Sequence, residues 1–254
     1  MTEDRPGTAP EPWSAPGPDL VPPSPPARMH RWGLGAYVLV EAVYLLTALS
    51  MLMVFGGERA SVATLMLMVA APTLLAAGLS LVITTLRGNG PRTDLRILWS
   101  PRAVGLGLLC GFGGLLLIVP ASLVYISIVG PEANSAAGAA FGGVTASWPW
   151  AVTVFVLVVF VAPVCEEIVY RGLLWGAVEQ RWGRWAALTV TTVLFAVAHL
   201  ELTRTPLLLV IAIPIGLARI YSGSLIASIV THQVINLLPG IVLMLSVAGM
   251  APTA

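Results

Sequence analysis

The chain has 254 residues, of which 57% are hydrophobic and only 10% charged, and its mean hydropathy is +0.89. Soluble domains carry about 25% charged residues, so this composition excludes a soluble globular enzyme, a disordered regulator and a nucleic-acid binder. All thirteen basic residues are arginine, and a net charge of +1 gives no overall field to draw acidic partners.

Residues 1–27 hold nine prolines and little apolar material, which predicts a disordered cytoplasmic tail with polyproline character. The tail lacks the basic start and apolar centre of a signal peptide. Apolar runs follow at about 33–55, 62–86 and 103–129. They are separated by a short turn with Glu58 and Arg59 and by a basic stretch, 87–102, carrying four arginines. Residues 130–147 are Gly/Ala-rich and hold Glu132. A fourth run begins near Trp148 and continues through Glu166, Glu167 and Arg171 to about Val178. Trp182 and Trp185 beside Arg181 and Arg184 read as interfacial. Runs at 186–200 and 206–217 are shorter than the roughly 20 residues a free span needs. The last run, 225–250, is interrupted by Pro239-Gly240. Runs of this length predict an all-α polytopic transmembrane bundle of seven to eight segments, since a β-barrel would show alternating ten-residue strands instead. The domain reading is a tail (1–27), N-terminal membrane helices with a basic cytoplasmic loop (28–102) and a core (103–254).

With the N-terminus inside, Arg5, Arg28, Arg31, Arg87, Arg92, Arg96, Arg102, Arg171, Arg181, Arg184 and Arg219 face the cytoplasm, while Arg59 and Arg204 face out. This bias predicts a multi-pass plasma-membrane protein with a cytoplasmic N-terminus. Lysine-free, Ala/Gly/Arg/Pro-rich usage suggests a GC-rich bacterial source. Cys110 and Cys165 lie in separate apolar runs and predict neither a disulfide nor a cysteine metal site.

Ionisable groups inside a membrane are costly and are functional candidates by default. Here they are Glu41, Glu166, Glu167, Arg171, His199 and His232, with Asn236 as a polar companion. Glu166 and Glu167 project about 100° apart on a helix, and the i, i+4 spacing of Glu167 and Arg171 allows an ion pair that leaves Glu166 free. His232 and Asn236 share a helix face at the same spacing, as an oxyanion site or as interhelical glue. His199 follows Phe195 by one turn. Pro163 is expected to kink the fourth run, and Gly107, Gly111 and Gly114 form a helix-packing stripe. Glu41 has no partner evident in sequence. One carboxylate, two histidines and an asparagine from three runs supply either base, shuttle and oxyanion donors or a set of metal ligands. No HExxH or GxSxG is present.

Glu166-Glu167-x-x-x-Arg171, Phe195-x-x-x-His199 and His232-x-x-x-Asn236, in that order, with Gly216 and the lead-in Tyr221-Ser222-Gly223-Ser224-Leu225, resemble the CPBP family of CAAX proteases and bacteriocin-processing enzymes (type II CAAX prenyl endopeptidases, Abi proteins). The resemblance covers about residues 105–245. It implies an intramembrane endopeptidase, opening to the cytosol, that cuts a membrane-associated or lipidated peptide or protein. By resemblance Glu166 and His199 activate water, His232 and Asn236 stabilise the oxyanion, and Glu167 and Arg171 support Glu166. It leaves open a divalent metal, zinc, held by Glu166, His199 and His232, and a metal-free glutamate mechanism. Partners are then membrane lipid and a peptide substrate at the cytosolic face, without nucleic acid. A second reading is a non-catalytic self-immunity or scaffold protein of the same family, and a third is a proton-coupled carrier.

Overall fold

The computed structural model describes residues 31–56, 60–130 and 135–250. The proline-rich segment 1–27, Glu58, Arg59 and Glu132 lie outside these described residues. Among them the chain is helical and forms no strand. In chain order the helices are α1 (Leu34–Phe55), α2 (Val62–Arg87), α3 (Pro91–Asp94), α4 (Pro101–Val129), α5 (Ala136–Phe141), α6 (Trp148–Ala198), α7 (Thr205–Ser222) and α8 (Leu225–Val247).

Local sequence chemistry sets the helix ends. Ser61, Ser100 and Ser224 accept the Thr64, Ala103 and Ile226 backbone N–H groups, so each caps donors that lack an intrahelical partner. Pro101, Pro149 and Pro206 occupy first-turn positions, where the missing N–H costs nothing. Gly223 ends α7 in the left-handed region (φ 67°), and its N–H returns to Arg219 O.

Among the described residues six helices are long and apolar enough to cross a membrane: α1, α2, α4, α6, α7 and α8. This is an integral multi-pass membrane protein, and the expectation of seven to eight segments is corrected to six. Two causes account for the difference. The fourth and fifth runs share the 51-residue α6, and Pro239-Gly240 leaves α8 as one helix. α6 is not straight. Gly183 leaves helical geometry (φ 81°, ψ 172°), and Phe195 packs 4.5 Å under the Arg171 guanidinium. Those residues would lie roughly 36 Å apart on a straight helix, so the chain folds back at Gly183. The returning arm, 184–198, reaches only about 22 Å, short of the roughly 30 Å hydrocarbon core.

Burial sorts the helices. In α1 6% of the apolar window is buried, against 50% in α7. α1 and the lightly buried α4 therefore present their sides to lipid, while α7 is enclosed by α4, α6 and α8. The glycine stripe brings α4 close to its neighbours. A Cβ on Gly107 or Gly111 would lie 2.7 Å from Val230 or Val234 of α8, and one on Gly114 would lie 3.0 Å from Pro214 of α7. Thr231 Oγ1 donates to Gly107 O at this contact.

One end of the bundle gathers the arginine-rich stretch 87–102. Arg31 N–H bonds Arg87 O at 2.8 Å, Leu225 N–H bonds Arg96 O at 2.9 Å, and Ser224 Oγ donates to Leu98 O at 2.6 Å. At the opposite end Phe141 of α5 joins Val62, Ala151 and Val247 in a small apolar cluster. Two of the arginines counted toward the cytoplasmic face are internal. Arg171 is fully buried, and Arg219 is 3% exposed. Arg219 ties three segments together by donating to Arg171 O, Gly223 O and Leu95 O.

Candidate functional site

The site is built on an irregular stretch of α6. Residues Leu157–Val161 and Ile168–Leu174 are wound as π-helix, on either side of Ala162–Glu167. Pro163 explains the first of these. Ala162 N–H bonds Leu157 O, five residues back, and in that register the next carbonyl, Val158 O, faces a proline nitrogen with no N–H. Asn236 of α8 fills the vacancy, its Nδ2 donating to Val158 O at 3.1 Å. Gly240, one turn further on α8, lets that helix approach, since a Cβ there would strike Val159. The expected plain kink at Pro163 is thus a π turn closed by Asn236.

Glu167 and Arg171 are completely buried and meet through Arg171 Nη1 and Glu167 Oε1 at 3.0 Å. Arg171 also donates to Ala212 O of α7. The same Glu167 Oε1 lies 3.0 Å from His232 Nδ1. A carboxylate paired with a guanidinium only accepts, so His232 Nδ1–H donates. Nε2 points toward Glu166, 3.8 Å from Oε2. Glu166 keeps 27% of its side chain exposed. That gap is too long for a direct hydrogen bond and suits a bridging water.

Phe195 is the apolar hub. Its ring lies under Arg171, 4.6 Å from His199, 5.7 Å from His232 and 5.3 Å from Tyr170. His199, at the end of α6, donates Nδ1–H to Phe195 O at 2.7 Å. Glu166, Glu167, Arg171, His199, His232 and Asn236, singled out from sequence, are held in different ways. Glu167, Arg171 and His232 are joined directly, Glu166 stands 3.8 Å from His232 Nε2, and His199 meets the cluster through Phe195. Asn236 is on the same helix as His232 but spends its amide on Val158 O. Glu41 gains a partner that sequence did not reveal: Tyr170 Oη donates to its Oε2 at 3.3 Å. Tyr170 and Arg219 were not singled out from sequence. Only their place next to the Glu-Arg pair marks them.

The resemblance implies, among its alternatives, zinc held by Glu166, His199 and His232. Among the described residues no three His, Cys, Asp or Glu side chains are gathered so as to hold a metal ion. His232 Nδ1 is committed to Glu167, and His199 stands across the Phe195 ring. Glu166, His199 and His232 do not fit a metal in this arrangement.

A multi-pass helical membrane protein with a buried Glu-Arg-His cluster at a π-wound helix is the class so defined. The family model described as Type II CAAX prenyl endopeptidase Rce1-like matches residues 148–238. That segment contains Glu166, Glu167, Arg171, His199, His232 and Asn236, so the part of the chain that carries the cluster is the part similar to this family of CAAX-protease-like peptidases. No curated protein and no solved structure matches the chain.

Proposed function

We propose that the protein is an intramembrane endopeptidase that hydrolyses a peptide bond of a membrane-associated or lipidated chain near its arginine-rich face. The observation that carries this reading is the imidazole of His232 set between Glu167 and the accessible Glu166. A buried ion pair that only stabilised a helix would need no second carboxylate and no histidine.

In this reading Glu167, fixed by Arg171, holds the His232 tautomer. A water between Glu166 and His232 Nε2 gives its proton to Glu166 and attacks the scissile carbonyl. His232 takes that proton at Nε2, its positive charge matched by Glu167, and faces the oxyanion as a donor. The C–N bond then breaks, and the leaving amine takes the proton from His232. The second Nδ2–H of Asn236 is a further oxyanion donor, and His199, stacked on Phe195, holds that ring against His232. His232 is seven residues into α8 from Leu225, roughly 10 Å below the arginine-rich end, a depth that a peptide lying at the membrane surface reaches with its cleavable end. Cleavage is expected to survive dialysis against a strong chelator. Activity lost and then restored by zinc would instead place the water on a metal.

The experiment is mass spectrometry of membrane peptides from cells carrying the wild type or Glu166→Ala. Intact substrates should accumulate and their cleaved forms vanish in the variant. Identical peptide populations would rule the reading out.

A further inference from the structure

A second polar feature lies at the arginine-rich end, outside the Glu-His cluster. The end of α2 and the approach to α1 are joined by Arg31 N–H to Arg87 O. Beside this seam is a cavity of about 320 Å³ edged by Arg31 and Arg87 and walled by Trp32, Ala36, Leu39 and Ile83. Its frame is fixed. Trp32 Nε1 donates to Asp94 Oδ2 at 2.9 Å, and the Trp32 ring covers Gly176 so closely that a Cβ there would lie 2.7 Å from it.

Asp94 is the acid nearest in sequence, and its oxygens are already spent. Besides Trp32 they accept Asn89 N–H at 3.0 Å and Asn89 Nδ2–H at 3.2 Å. Neither Arg31 nor Arg87 makes an ion pair among the described residues, and both are exposed. Two arginines with no ion-pair partner among the described residues therefore line a cavity whose walls turn apolar along α1 and α2. Arginines that simply reach into bulk headgroups need no such cavity. Guanidinium groups bind phosphate through paired N–H donors, and basic residues at the ends of membrane helices draw anionic lipid.

We infer that this cavity holds one anionic phospholipid, its phosphate between Arg31 and Arg87 and the start of an acyl chain along Leu39 and Ile83. The seat is distinct from the hydrolytic site and does not depend on that site being catalytic.

The test uses the purified full chain in neutral detergent. Melting is followed against phosphatidylglycerol, phosphatidylcholine and inorganic phosphate. Phosphatidylglycerol should raise the melting temperature and the other two should not. Arg31→Gln/Arg87→Gln should weaken the phosphatidylglycerol response on the order of tenfold in concentration, while Arg181→Gln/Arg184→Gln keeps it. An unchanged response in the first pair, an equal response to phosphatidylcholine, or full reproduction by inorganic phosphate each overturns the inference. Should the first pair fail to fold, a photoreactive phosphatidylglycerol on the wild type decides. Cross-links within residues 31–39 or 83–87 support the seat, and cross-links only elsewhere refute it.

Discussion

Glu166 and Glu167 are neighbours with different surroundings, because a helix turns each residue by about 100°. Glu167 is sealed between Arg171 and His232, and Glu166 keeps 27% of its side chain open. Removing one partner of a sealed ion pair leaves an uncompensated charge and costs about 3–5 kcal/mol. Arg171→Leu is therefore expected to lower stability by that order, seen as a lower melting temperature and loss of folded protein, whereas Glu166→Gln should melt close to the wild type. Equal melting of Arg171→Leu and wild type would show that Arg171 does not hold Glu167. The Glu167–Arg171 pair was legible from its four-residue spacing. The His232–Glu167 bond was not, since it joins positions 65 apart, and no local periodicity encodes which faces of two helices meet. Glu41 was visible as a misplaced charge, but its partner Tyr170 is 129 residues away.

At the scale of the element, α6 carries two features that apolar run lengths hid. The π turn at Leu157–Val161 depends on Pro163, and the proline was legible while its register was not. Asn236→Ala should strand the buried Val158 O and cost about 1–3 kcal/mol. In a Pro163→Ala background the cost should shrink, because the restored N–H can bond Val158 O itself. Melting measurements on the two single variants and the double variant give the coupling. Strictly additive losses would show that Asn236 and Pro163 act separately. The second feature is the fold-back at Gly183. Sequence placed tryptophans and arginines at an interface there, and the structure turns that interface into a hairpin tip. The arm beyond it is too short for a span, which is why the apolar runs outnumber the six membrane-length helices among the described residues.

At the scale of the molecule, 10% charge excluded a soluble protein and the long apolar runs gave the all-α membrane class. Arginine bias suggested an orientation that rests on loop residues, now without Arg171 and Arg219, which are buried. With Cys110 and Cys165 replaced by alanine, Trp182→Cys should react with an impermeant thiol reagent only from the cytoplasmic side, and Val54→Cys only from the opposite side. The reverse pattern would invert the topology and place the cluster on the outer face. The cluster lies about 10 Å in from the arginine-rich end, so the side that end faces decides which substrates can reach it.

Hydrolysis dependent on Glu166 is the central claim. Its most direct measurement is incubation of the purified chain, reconstituted in liposomes, with a library of membrane-anchored peptides in heavy-oxygen water, followed by mass spectrometry of the new carboxyl termini. The account predicts new termini carrying one heavy oxygen with the wild type and a loss of about 10²-fold or more with Glu166→Gln. Undiminished cleavage by Glu166→Gln, or new termini without heavy oxygen, would contradict it.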